Sequence, residues 1–163
     1  MQRALCAAIL TLGAAGAMAG QGGNCSPEGT WYGYNDQGYV WIVTISRSGP
    51  SSFTTVMDWG ANLNEPWMAG STDWRGEMVK TGPRSYEWTT MALYSTGDPT
   101  LPFVLGLCPV TAEFTSCDSW EGAGTCSYYG YSSPEQDPFE VGIWVGDGPV
   151  HAFFNRMPMS YPE

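Results

Sequence analysis

Glu77 and Glu87 are the two residues of this sequence whose types and spacing most resemble a catalytic pair. Each stands five positions from Gly82, within the turn-forming stretch Thr81-Gly82-Pro83-Arg84. On a hairpin folded about that turn, the two carboxylates would face each other. Glycoside hydrolysis uses two carboxyl groups about 5–9.5 Å apart, one as acid and one as base or nucleophile. Trp74 and Trp88 would offer stacking surfaces for a sugar beside them. The same spacing also describes two charges on a solvated sheet face, with Arg75, Lys80 and Arg84 as partners, and this plainer reading is preferred.

Other chemistry finds less support. His151 is the only histidine, and no Gly-x-Ser-x-Gly elbow accompanies it, so a hydroxyl nucleophile lacks its usual base and setting. Without a Cys-x-x-Cys pair or a second histidine there is no zinc pattern. Glu135, Asp137 and Glu140 cluster in one segment and Asp118 and Glu121 in another, but neither follows the spacing of an EF-hand loop. The balance is against an enzyme, and no metal or cofactor is implied.

The cysteines point to a compartment. Met1-Gln2-Arg3, the apolar run Ala4–Ala15 and the small residues Ala17-Met18-Ala19 form a secretory signal, with cleavage after Ala19. The apolar run is shorter than the roughly 20 residues that span a bilayer, and no later stretch is long enough, so no integral membrane segment remains. Removing residues 1–19 leaves a single domain, residues 20–163, and shifts the net charge from −10 to −11 through loss of Arg3. Five scattered cations cannot neutralise a phosphate backbone, which excludes nucleic acid as a partner. Cys25, Cys108, Cys117 and Cys126 remain, an even number that reads as two disulfides in a secreted or periplasmic protein. Cys117 and Cys126 flank the turn-like Asp118–Gly124, so the favoured pairs are Cys117–Cys126 and Cys25–Cys108.

The elements that position these residues are strands. Short runs of β-branched and aromatic residues alternate with Gly, Pro, Asp and Ser clusters, and no sustained helical period appears. Strands are expected over 30–35, 39–46, 52–58, 72–80, 85–94, 103–107, 110–117, 125–131, 139–145 and 150–155, with a turn at Gly146-Asp147-Gly148-Pro149. Tyr39, Trp41, Val43 and Ile45 share one face, as do Val110, Ala112 and Phe114, and Phe139, Val141, Ile143 and Val145; each set reads as the buried side of a strand. The strand 85–94 is apolar on both sides, with Tyr86, Trp88 and Tyr94 opposite Met91 and Leu93. One side must meet the interior and the other a cover, partner or ligand. Sequential strands on short turns predict an all-β fold: an antiparallel up-and-down meander barrel of about 8–10 strands.

Glu28-Gly29-Thr30-Trp31-Tyr32 resembles the opening block of lipocalins and the wider calycin group. That resemblance implies a barrel whose first-strand Trp31 is sealed by an arginine just after the last strand, and Arg156 stands in the matching place. The same opening is similar to avidin-like barrels, but Gly33 follows where those chains carry Asn, and Tyr39 stands near their ligand-contacting Ser. Thr72-Asp73-Trp74 looks like a later lipocalin block placed early in the chain.

The sequence holds eight Trp, nine Tyr and six Phe. Trp41, Phe53, Tyr86 and Trp88 are candidates to line an interior pocket or to plug it. The leading expectation is a secreted or periplasmic barrel that binds a small apolar or amphipathic ligand inside. A carbohydrate-binding module or small glycoside hydrolase, marked by exposed Trp59, Trp67 and Trp74, is the second. A structural or inhibitory protein acting through its surface, near Pro66-Trp67-Met68, is the third. A Trp-lined cavity of about 300 Å³ or more would favour the first.

Overall fold

The structure is a computed structural model that describes residues 25–59, 71–133 and 135–158. Residues 1–19, Trp67 and the Pro66-Trp67-Met68 stretch lie outside the described residues, as does the side chain of Trp59. Eight strands follow one another around a closed antiparallel barrel. They are β1 (Gly29–Asn35), β2 (Val40–Arg47), β3 (Ser52–Trp59), β4 (Trp74–Lys80), β5 (Ser85–Ser95), β6 (Phe103–Ser116), β7 (Ser119–Tyr131) and β8 (Ile143–Arg156). Each pairs with the next, and β8 returns to β1 from Trp31↔Arg156 to Asn35↔Ala152. One helical turn, α1 (Pro138–Val141), precedes β8.

Alternation drives this arrangement. On β2, Trp41, Val43 and Ile45 are buried while Ile42 and Thr44 face out; on β5, Tyr86, Trp88, Thr90, Ala92 and Tyr94 are buried. Burying one face of every strand at once requires the sheet to curl on itself. Turn chemistry sets the registers. Between β1 and β2, the Asn35 side-chain oxygen accepts from the backbone N–H groups of Gln37 (3.1 Å) and Tyr39 (3.0 Å), and Gly38 takes the left-handed conformation at φ 83°. Outward positions carry Asp58, Arg75, Glu77, Glu87 and Glu113, all exposed. An apolar inside with a charged outside is the reverse of a membrane-spanning barrel. Among the described residues, no helix is long and apolar enough to cross a membrane.

Three sequence expectations are corrected. First, the β6–β7 turn is at Cys117-Asp118, and Ser119–Gly124 continues as strand. Gly122 and Gly124 are glycines because of packing: a Cβ at Gly124 would collide with the Pro109 carbonyl of the neighbouring strand. Second, Cys126 therefore lies seven residues into β7, about 23 Å beyond Ser119 at roughly 3.3 Å per residue. It cannot reach Cys117. The disulfides are Cys108–Cys126, between facing positions of β6 and β7, and Cys25–Cys117, between the chain preceding β1 and the turn. Third, 139–145 is not a half-buried strand. Phe139 and Val141 belong to α1, and Phe139, Val141, Ile143 and Val145 are all exposed. Gly146-Asp147-Gly148-Pro149 is no turn but part of β8, beside a register shift at Tyr128/Tyr129.

Candidate ligand-binding site

The two ends of the barrel differ. One is sealed by residues 25–28, which cross it before β1 begins. The Trp31 indole N–H donates to the Pro27 carbonyl at 2.7 Å, and the Tyr86 hydroxyl donates to the Cys25 carbonyl at 2.8 Å. Arg156 locks this strap. Its guanidinium lies 4.2 Å from the centre of the Trp31 ring. It also donates to the carbonyls of Glu28 (2.6 Å), Ser26 (2.9 Å) and Cys117 (3.1 Å), and to the Asp118 carboxylate (3.1 Å). Only a planar group with several fixed donors can serve so many oxygens at once. Nearby, Arg47 donates to Glu28 at 2.7 Å and 3.0 Å, which holds the Glu28 carboxyl below its ordinary range. The Cys25–Cys117 disulfide ties the same strap to the β6–β7 turn.

Above the strap lies a layer of rings. Trp120 stacks on Phe154 at 3.7 Å and 8°, and both meet Trp88 edge-on, at 5.4 Å and 5.7 Å. Trp31 and Tyr86 reach this layer through Phe114. The Trp88 indole N–H donates to the buried Thr55 hydroxyl at 2.9 Å, so this polar pair is satisfied inside the core.

Beyond that layer the interior is hollow. A cavity of about 220 Å³ is floored by Trp88 and Phe154 and walled by Trp41, Trp74, Met57 and the Cys108–Cys126 disulfide. Thr90 and Tyr128 add hydroxyls, and Asn35, Gln37 and Tyr39, at the β1–β2 turn, stand at its mouth. Among the described residues, none that lines it is Asp, Glu, Lys, Arg or His. Gly33 explains how Trp41 fits: a Cβ there would collide with the Trp41 indole and the Phe154 ring. A second hollow of about 190 Å³ shares Tyr128 and is lined by Tyr94 and Val104. Burial raises the hydroxyl pKa of Tyr94 and of Tyr128 above the ordinary tyrosine value.

The residues singled out in the sequence separate accordingly. Trp41 and Trp88 line the cavity. Phe53 and Tyr86 pack against each other 6.0 Å apart, and Tyr86 is bonded to the strap at the sealed end. Trp31 and Arg156 lie in that end too. Trp74, expected as an exposed stacking surface, is buried in the cavity wall. Glu77 and Glu87 both point outward, opposite in direction to Trp74 and Trp88. They are also offset by two positions, since Glu77 pairs with Thr89 and Glu87 with Val79. The two carboxylates and the two indoles therefore share no cleft. His151 is on the outer face of β8, 3.8 Å from Asp36 and 3.7 Å from Glu121, with its ring against Phe153. Sequence reading missed Met57, Thr90, Tyr128 and the cavity-facing disulfide. The first three occupy inward positions of their strands, but nothing in the sequence separates a packed inward residue from one beside a void.

No protein-family model matches the sequence, and no curated protein is significantly similar to it.

Proposed function

We propose that this chain is a secreted or periplasmic barrel of lipocalin-like type that holds a small, neutral, apolar molecule in the 220 Å³ cavity. The observation that carries this reading is the contrast in chemistry along one interior: the strap end is filled and hydrogen-bonded, while the mouth end keeps an uncharged, Trp-lined space. The cavity is smaller than the roughly 300 Å³ typical of drug-sized pockets. It is larger than the 150 Å³ engineered cavity that admits benzene. A ligand of one or two rings, or a short branched aliphatic, matches that volume. An anion or cation would be left unpaired inside, at a cost of several kcal/mol. Thr90, Tyr128 and the mouth amides could orient one polar substituent. The two disulfides and the signal-like residues 1–19 support an oxidising compartment outside the cytoplasm.

The test is a titration of the oxidised protein with naphthalene and with naphthalene sulfonate, followed by tryptophan fluorescence. The neutral probe should bind saturably, and the sulfonate at least tenfold more weakly. Equal binding of both, or no saturable response to a panel of neutral ring compounds, would overturn the reading.

A further inference from the structure

The chain entering β8, at the end of the barrel away from the strap, carries the most exposed large apolar side chains among the described residues. Within residues 139–147, Phe139 is 61% exposed, Ile143 67% and Trp144 59%, with Val141 and Val145 also exposed. Trp144, which pairs with Tyr129, points to the outer side of the sheet, and Ile143, which pairs with Gly130, to the opposite side. Leu93 pairs with Leu105, Leu105 with Tyr129 and Tyr129 with Trp144, so an apolar row crosses the outer side of β5–β8 over about 14 Å at the usual strand spacing, with Leu93 and Trp144 exposed, Tyr129 half-buried and Leu105 buried. Such large side chains concentrated together mark an interaction surface rather than ordinary scatter.

The charges around it are of one sign. Glu135, Asp137, Glu140 and Asp147 are all exposed. No lysine or arginine occurs between Arg84 and Arg156. The Trp144 indole N–H donates to Asp147 at 3.0 Å, which fixes an exposed indole face beside a carboxylate. Ser127 and Trp144 both hydrogen-bond that carboxyl and hold its pKa below the ordinary aspartate value, so it stays ionised. A fixed indole beside a carboxylate suits a lysine or arginine that can contact both.

We infer that this face docks a basic amphipathic segment of a partner protein, its apolar side on the Leu93–Trp144 row and its lysines or arginines against Glu140, Asp147 and the Trp144 ring. Charge decides among the occupants. A second copy of this acidic chain would set like carboxylates together, and an anionic membrane would be repelled. This surface faces away from the cavity and stands independently of the ligand proposed for it.

A fluorescently labelled amphipathic peptide of Leu and Lys, titrated against the intact oxidised protein by anisotropy, tests the inference. Binding should weaken as salt rises. The double variant Phe139→Ser/Trp144→Ser should bind about tenfold or more weakly, as expected for loss of an aromatic anchor. Glu140→Gln/Asp147→Asn should keep the apolar contact and lose most of the salt dependence. Four results would each overturn the inference: equal binding by the Phe139/Trp144 variant; equal binding of a Leu/Glu peptide; binding to phosphatidylcholine vesicles with none to the peptide; or a wild-type dimer in sedimentation that the Phe139/Trp144 variant abolishes.

Discussion

The sealed end and the hollow end are made from the same strands and the same kinds of residue, yet they are held together differently. At the sealed end every aromatic touches another aromatic or a hydrogen-bonded strap, and Arg156 gathers three carbonyls from two separate parts of the chain, the strap and the β6–β7 turn. At the hollow end Trp41, Trp74 and Trp88 face a void. Aromatic residues inside a barrel therefore do not by themselves mean a binding site. A binding site needs rings that also border open space.

The largest expected effects distinguish the disulfides. Cys25–Cys117 spans 92 residues and Cys108–Cys126 spans 18. Loop-closure entropy gives about 4.6 kcal/mol for the first and about 3.2 kcal/mol for the second. Equilibrium urea unfolding of Cys25→Ser/Cys117→Ser and of Cys108→Ser/Cys126→Ser should show the first pair to be the more destabilised. The reverse order would mean that the strap contributes little to closure.

Trp31→Ala comes next. Removing a fully buried indole costs about 3–5 kcal/mol, and it also strands the guanidinium above it. The unfolding midpoint should fall sharply, while the affinity of the remaining folded protein for a neutral probe changes little. Loss of binding without loss of stability would erase the distinction between the ends.

Alkaline pH probes the hollow end through Tyr94 and Tyr128. Their pKa values are raised by burial in the folded state, so both keep their protons when the unfolded chain has released them. Their contribution is complete below the unfolded value near 10 and is lost as pH rises above it toward the folded pKa. Each such tyrosine should remove about 1.4 kcal/mol of stability per pH unit across that window. In Tyr94→Phe the decline above pH 10, followed by urea midpoints, should be shallower; an unchanged slope would place the sensitivity elsewhere, with Tyr86 the first suspect.

Val150→Phe then tests the void itself, since Val150 lines it. Probe binding should drop at least tenfold, or about 1.4 kcal/mol, with stability altered by no more than about 1–3 kcal/mol in either direction. Smallest of all, Glu77→Gln/Glu87→Gln should shift stability by less than about 0.5 kcal/mol, the ordinary range for exposed positions. A larger change would show that these outward carboxylates are engaged in something other than solvation.

β1 to β5 were legible in the sequence because alternation and turn chemistry agreed there. Asn35 and Gly38 are turn residues and make a turn. The second half misled for physical reasons. Gly122, Gly124, Gly146 and Gly148 look like turn formers, yet they lie within strands. At Gly124 the neighbouring backbone comes too close for a side chain. Phe139, Val141, Ile143 and Val145 alternate in the sequence, yet the first two lie in α1 and the last two in β8, because a short alternating run does not fix the backbone. Nor does it say whether anything covers its apolar side. For the same reason Trp41 and Trp88 were legible as inward, while Phe53 and Tyr86, inward by the same pattern, sit among other rings at the sealed end. Volume left over between side chains is a property of three-dimensional packing and leaves no mark on a linear chain.

The pairing of β1 with β8 has a consequence for the protein's making. Arg156 reaches the carbonyl of Ser26 across 130 positions and that of Glu28 across 128. A nascent chain emerges with β1 first, and one edge of β1 stays unsatisfied until the last strand has followed it. Through that interval Trp31 and the backbone groups beside it form an open template on which another copy could nucleate. Its hazard in the cell is therefore one of timing, greatest before the ring is complete, and a chain cut short before β8 should be far more prone to aggregation than any point variant of the finished barrel.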